Sequence, residues 1–206
     1  YHGHHDSAMV SIFRAADQLG PLHDPHRVPG PGVAQEMADL LRIVPFNDLP
    51  ALERVLDQHS GQNAGMIVEP MMMNAGIIPP QPGYLEGVRE LTRRYGVLLA
   101  FDEVKTGLVV DWGGATRLFG GGLPCGAIGG TEEVMAAITD GRYDQIGTFN
   151  GNPLTMAAAR ATLLEVLTPD VYGSAEAPGR RMLQGSMSAL AADGQPQPST
   201  SPIPEN

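Results

Sequence analysis

Two short apolar runs, residues 65–68 (GMIV) and 97–101 (VLLAF), each arrive at a carboxylate: Glu69 after the first, Asp102 after the second. Nearly unbroken apolarity is what a strand needs when both of its faces are covered, as in the parallel sheets of α/β domains. Between the runs, residues 84–95 carry Leu85, Val88 and Leu91 on one helical face. Strand, helix, strand predicts a right-handed crossover in a parallel or mostly parallel sheet. Ligands of such sheets collect beyond the carboxyl ends of the strands. Glu69 and Asp102 therefore mark the end at which chemistry is expected.

The rest of the chain extends the alternation. Met9, Ile12, Phe13 and Ala16 follow helical spacing, and a loop with Pro21, Pro25, Pro29 and Pro31 runs from Gly20 to Gly32. Residues 43–46 form a short apolar run expected as a strand. Asn47 or Asp48 then suits the N-cap of a helix with Leu49, Leu52, Val55 and Leu56 on one face. Residues 71–82 are turn-rich, and 124–129 are expected as a further strand before a helix over 132–138. A longer helix is expected over 153–167, with Pro153 in its favoured first turn. The tail 194–206 holds four prolines and one charge, a disordered composition.

Composition removes several function classes. The length of 206 residues gives room for one domain, or about one and a half at ~150 residues each. With 23 acids against 13 bases the net charge is -10, which argues against a nucleic-acid binder. The single cysteine, Cys125, excludes an internal disulfide framework and a cysteine-based zinc site, and fits a reducing compartment. No apolar run approaches the ~18–20 residues of a membrane span, and no signal peptide is visible. A soluble, cytoplasmic chain without a membrane or nucleic-acid partner is the expectation. Of the 13 bases only one, Lys105, is a lysine.

Four constellations carry candidate chemistry. His2, His4 and His5 with Asp6 have donors suited to a metal, although an exposed histidine-rich turn is the commoner origin of such a cluster and no second ligand cluster follows. Asp102, in FDEVKTG, either holds a protonated ring nitrogen of a heterocyclic cofactor or caps the following turn; local spacing does not choose. GGGLPCGAIGG (120–130) lacks the lysine and the strand–helix context of a phosphate loop and is read as tight turns. In GTFNGNP (147–153), Thr148 precedes a helix N-terminus that suits an anion, and ordinary capping by Asn152 explains the same residues.

Taken together, YHGHHDS (1–7), VPFNDLPALERVL (44–56), the stretch MIVEPMMMNAGIIPPQPGYLEGVRELTRRYGVLLAFDEVKTG (66–107), GGGLPCGAIGG and GTFNGNPLTMAAARATLLEVL (147–167) resemble the class III (fold type I) pyridoxal-phosphate aminotransferases, closest to the glutamate-1-semialdehyde 2,1-aminomutase group. The resemblance spans about residues 1–172. It implies the large domain of that family: α/β, a mostly parallel sheet with helices on both faces, here incomplete. A divergent helical segment (173–193) and the tail (194–206) complete the expected organisation. It also implies pyridoxal 5'-phosphate as cofactor, a small amino or keto acid as substrate, and a homodimer. By the same resemblance Asp102 pairs with the cofactor's ring nitrogen, Val104 packs on one ring face and Tyr1 on the other. Asn74 lies near the ring hydroxyl, Glu69 supports the loop around Asn74, and Thr148 contacts the phosphate across the dimer interface.

The chain departs from the family pattern where the pattern places its Schiff-base lysine. Residues 117–120 (RLFG) run directly into 121–124 (GGLP), and the lysine-bearing segment is absent. The family's N-terminal phosphate loop and C-terminal small domain are also missing, and the resemblance fades after Tyr172. The expectation is a truncated, internally deleted relative with no catalytic lysine and no metal, inactive in amino-group transfer. A non-catalytic remnant serving as a dimerisation or structural fragment, or a His-cluster metal-binding module, are the alternatives.

Overall fold

In the computed structural model, β1 (Gly65–Val68) and β2 (Leu98–Phe101) pair in parallel, with Gly65 opposite Leu98 and Val68 opposite Phe101. Parallel pairing needs a crossover, and α3 (Tyr84–Arg94) supplies it. The structure describes residues 1–107 and 125–192. The junction at 117–124 and the tail 194–206 lie outside the described residues. The chain divides into two compact units, Tyr1–Val109 and Val110–Asn206.

The first unit is built on one apolar cluster. Helix α1 (Gln35–Asp39) lies ahead of helix α2 (Leu49–Gln58), which starts where Asp48 accepts the Ala51 N–H at 2.8 Å and faces inward with Leu52 and Leu56. Helix α3 contributes Tyr84, Val88 and Leu91, and Val97 closes the cluster at the entry to β2. Met66 and Leu99 pack on the cluster from the sheet. Each fully buried side chain of this kind stabilises the fold by about 1.5–3 kcal/mol. Thr92, buried on α3, satisfies its hydroxyl by donating to the Val88 carbonyl at 2.9 Å. Gly83 precedes α3 with φ of 79°, a left-handed turn that a side chain would strain.

On the other face of the two strands, Ile67 and Leu98 are 51% and 60% exposed. The sequence led us to expect both faces covered; among the described residues the helices of this unit cover one.

Three local expectations are corrected. Residues 43–46 are not a strand: Pro45 has no N–H to give a ladder, and Phe46 instead packs edge-on against Tyr84 at 4.9 Å. The helical spacing of Met9 to Ala16 forms no α-helix, only short 3-10 turns at its edges, Asp6–Ala8 and Ala16–Gln18. Ser11 and Phe13 adopt left-handed φ values of 57° and 52°, and Val10 bridges Pro29. The Ser11 hydroxyl donates to the His26 carbonyl and accepts the Val28 N–H, a side-chain bonding that competes with helix. Residues 125–129, the described part of the expected strand, are irregular and mostly exposed, in a glycine-rich stretch with few side chains to pack.

The second unit is helical where described. Thr131 caps α4 (Glu132–Thr139), and Asn152 caps α5 (Pro153–Ala161). The helix expected over 153–167 continues through Thr162–Val166 in wider turns, with the Leu167 N–H reaching the Thr162 carbonyl at 2.9 Å. Helix α6 spans Pro169–Ala192 and contains Pro178.

The cluster between α2 and α3 predicts that Leu56→Ala lowers the unfolding free energy by about 2–5 kcal/mol. Urea denaturation checks this: the midpoint falls while the slope holds.

Candidate functional site

Burying a carboxylate costs free energy unless donors replace its water. Glu69 follows β1 and is only 7% exposed. Its Oε1 accepts the backbone nitrogen of Tyr1 at 2.8 Å, and its Oε2 accepts the Met73 N–H at 3.1 Å. Asp102 follows β2, and its own N–H extends the ladder by donating to the Val68 carbonyl at 2.8 Å. Its Oδ1 accepts the Val104 N–H at 3.0 Å, and its Oδ2 lies 2.7 Å from His2 Nδ1. Asp102 therefore does cap the turn that follows it, and one oxygen is engaged by a residue a hundred positions away.

The loop between β1 and α3 is tied on both sides. Met72 and Ile78 exchange two backbone hydrogen bonds of 3.0 Å each, enclosing Asn74 in a tight reversal with Gly76 at φ 103° and Ile77 at 58°. The Asn47 side chain, expected as an alternative N-cap, donates to the Pro79 carbonyl and accepts the Gln81 N–H. Lys105 Nζ donates to Asn74 Oδ1.

These contacts close into a circuit. Tyr1 meets Glu69, Glu69 holds the segment leading to Asn74, and Asn74 meets Lys105. Lys105 follows Val104, which Asp102 caps, and Asp102 meets His2 beside Tyr1. Four of the five residues expected at a cofactor, Tyr1, Asn74, Asp102 and Val104, thus stand on one ring of contacts at the carboxyl ends of β1 and β2. Val104 is 61% exposed, an apolar surface open to a ligand. The Tyr1 ring meets His4 edge-on at 5.5 Å and Phe13 at 6.1 Å. The fifth residue, Thr148, belongs to the second unit; beyond it Asn152 Oδ1 already accepts the Leu154 and Thr155 N–H groups of α5.

Burial raises the Glu103 carboxyl above its ordinary range. The histidines of the opening motif diverge: His2 goes to Asp102, and His4 shares a hydrogen bond with the Tyr1 hydroxyl. Among the described residues no three His, Cys, Asp or Glu side chains gather as metal ligands. A cleft of about 460 Å³ borders β1, lined by Tyr1, His2, Arg42, Leu56, Met66 and Glu69 among others. It shares Tyr1, His2 and Glu69 with the circuit, and its walls include none of Asn74, Asp102, Val104 or Lys105.

The donor set fits a pyridoxal ring. A partly buried carboxylate retains lone pairs for a pyridinium N–H, an exposed valine offers a ring face, and an amide and an amine stand next to each other. His2, read as a candidate metal ligand, and Asn47, read as a candidate helix cap, both act instead through contacts distant in sequence.

Residues 1–197 match the family described as aminotransferase class-III, beyond the Tyr172 limit expected from the motifs. Glutamate-1-semialdehyde 2,1-aminomutase 2 of Exiguobacterium sibiricum is 40% identical over 205 residues, covering 93% of this chain and 45% of that protein. An omega-transaminase from Sphaerobacter thermophilus superposes with a TM-score of 0.83 at 33% identity, over 94% of this chain and 47% of its own. A glutamate-1-semialdehyde-aminomutase variant from Pseudomonas aeruginosa PAO1, solved in complex with PMP, gives a TM-score of 0.66 at 30% identity, over 93% and 46%. The chain spans about half the length of the curated relatives it matches. Among the described residues no helix is long and apolar enough to cross a membrane.

Glu69→Ala should free the Met73 amide. Its hydrogen exchange is expected to accelerate about 10–100-fold, the worth of one hydrogen bond to a charged group. Unchanged exchange in an otherwise folded variant would show that the carboxylate does not hold this loop.

Proposed function

Because the chain belongs to the class-III aminotransferase family, we propose that it is glutamate-1-semialdehyde 2,1-aminomutase-like, holds pyridoxal phosphate, and does not complete amino-group transfer by itself. The observation that carries the reading is the partly buried Asp102 carboxylate, steadied by His2 and the Val104 N–H at the end of β2.

When bound, the cofactor supplies a protonated ring that draws electrons from a bond broken at the substrate. Asp102 keeps the proton on the ring nitrogen by presenting a charge-assisted acceptor there. His2 orients that carboxylate. Val104 covers one ring face and Tyr1 the other, excluding water from both. Asn74 meets the ring hydroxyl, and Glu69 fixes the loop that carries it. Thr148 takes the phosphate of a cofactor held by a second copy, which makes the working form a homodimer. A small amino or keto acid is the substrate class, and the cytoplasm the compartment.

Turnover is not expected, because the chain has a single lysine, Lys105, and lacks the family's lysine-bearing segment. A second reading, a non-catalytic remnant that serves as a dimerisation surface, is favoured by the open apolar face of Ile67 and Leu98.

A pyridoxal-phosphate titration followed by absorbance tests the cofactor reading. Asp102→Ala should weaken binding about 10–100-fold, the worth of one hydrogen bond to a charged group. Equal affinity of the two proteins, or measurable amino transfer by the unaltered chain, would contradict the proposal.

A further inference from the structure

We infer that Lys105 is the amine by which this chain bonds covalently to the aldehyde of a pyridoxal-type cofactor; this rests on the cofactor reading above. A covalent bond to an aldehyde through a side-chain amine needs a lysine, and the chain has only this one. Its distance along the chain argues against it, since it follows by three residues the aspartate assigned to the ring nitrogen, and the aldehyde stands opposite that nitrogen. The structure answers this objection. Lys105 Nζ rests on Asn74 Oδ1, the side chain assigned to the ring hydroxyl. On a pyridoxal ring the hydroxyl and the aldehyde are neighbours.

Backbone geometry agrees. Asp102 Oδ1 caps the Val104 N–H, and the Gly107 N–H returns to the Glu103 carbonyl. The chain thus turns tightly right after Asp102, and a lysine side chain is longer than a pyridine ring is wide. A ring lying on Val104, with its nitrogen at Asp102 and its hydroxyl at Asn74, has its aldehyde beside Nζ.

The bond that forms is Nζ–C, and the bond that breaks is the aldehyde C=O. Its oxygen leaves as water with two of the three ammonium protons, and the third stays on the imine nitrogen. No oxidant or reductant takes part in the capture.

The test uses the full chain with pyridoxal phosphate, followed by borohydride, which delivers hydride to the imine carbon and fixes the link as a secondary amine. Peptide mass spectrometry then locates it. The expected result is a phosphopyridoxyl group on the Lys105 peptide that saturates with cofactor. Half-saturation should shift about tenfold or more to higher concentration in Asn74→Ala and Asp102→Ala, as for loss of one hydrogen bond. Labelling that rises linearly and is indifferent to both substitutions is surface chemistry and overturns the inference. So does an adduct on the chain's α-amino group alone. Lys105→Arg separates the two readings. If it still binds the cofactor, with a dependence on Asp102, while the unaltered chain yields no Lys105 adduct, the covalent inference fails and the cofactor reading stands. If Asp102→Ala changes neither binding nor labelling, the cofactor reading fails, and the inference with it.

Discussion

Everything at the carboxyl end of this sheet depends on partnering two carboxylates, Glu69 buried and Asp102 partly buried. Glu69 and Asp102 sit where parallel strands deliver them, and each has to replace its hydration with protein donors. Two of the donors come from far away, Tyr1 and His2 from the start of the chain, and two are local, Met73 from the loop after β1 and Val104 from the turn after β2. Solvating the two acids therefore draws three separate segments together. The same contacts that solve the burial problem set Asn74, Val104 and Lys105 around a common surface.

The rest of the first unit serves this arrangement. The α2–α3 cluster holds both strands in register, and the strand ends carry the acids out of the apolar layer. The open face of Ile67 and Leu98 has the composition of a sheet covered on both sides. The chain spans about half the length of the relatives it matches, and in this unit the described residues supply cover for one face only.

What was legible in the sequence was local and periodic. Both strands, the helices over 49–58 and 84–94, the Asp48 and Asn152 caps and the turn-rich 71–82 stretch followed from apolar pattern and cap chemistry. The apolar run 43–46 misled because Pro45 cannot join a ladder, and packing on Tyr84 satisfies the run without one. The spacing from Met9 to Ala16 misled because Ser11 bonds to the His26–Val28 segment instead of its own turn. The candidate site was half legible. Acids at strand ends pointed to Glu69 and Asp102, and the family resemblance supplied Tyr1, Asn74, Val104 and Thr148. That His2 would engage Asp102 instead of joining a histidine cluster, and that Lys105 would reach Asn74, are tertiary facts with no local signal.

The central claim is that the partly buried Asp102 carboxylate keeps a pyridine ring protonated. Nitrogen NMR of pyridoxal phosphate labelled with ¹⁵N in the ring reads that directly. With the chain in excess above the free cofactor's own titration range, the ring nitrogen should move to its pyridinium position and stay there as the pH is raised. A ring nitrogen that keeps the chemical shift and titration of the free cofactor would contradict the account.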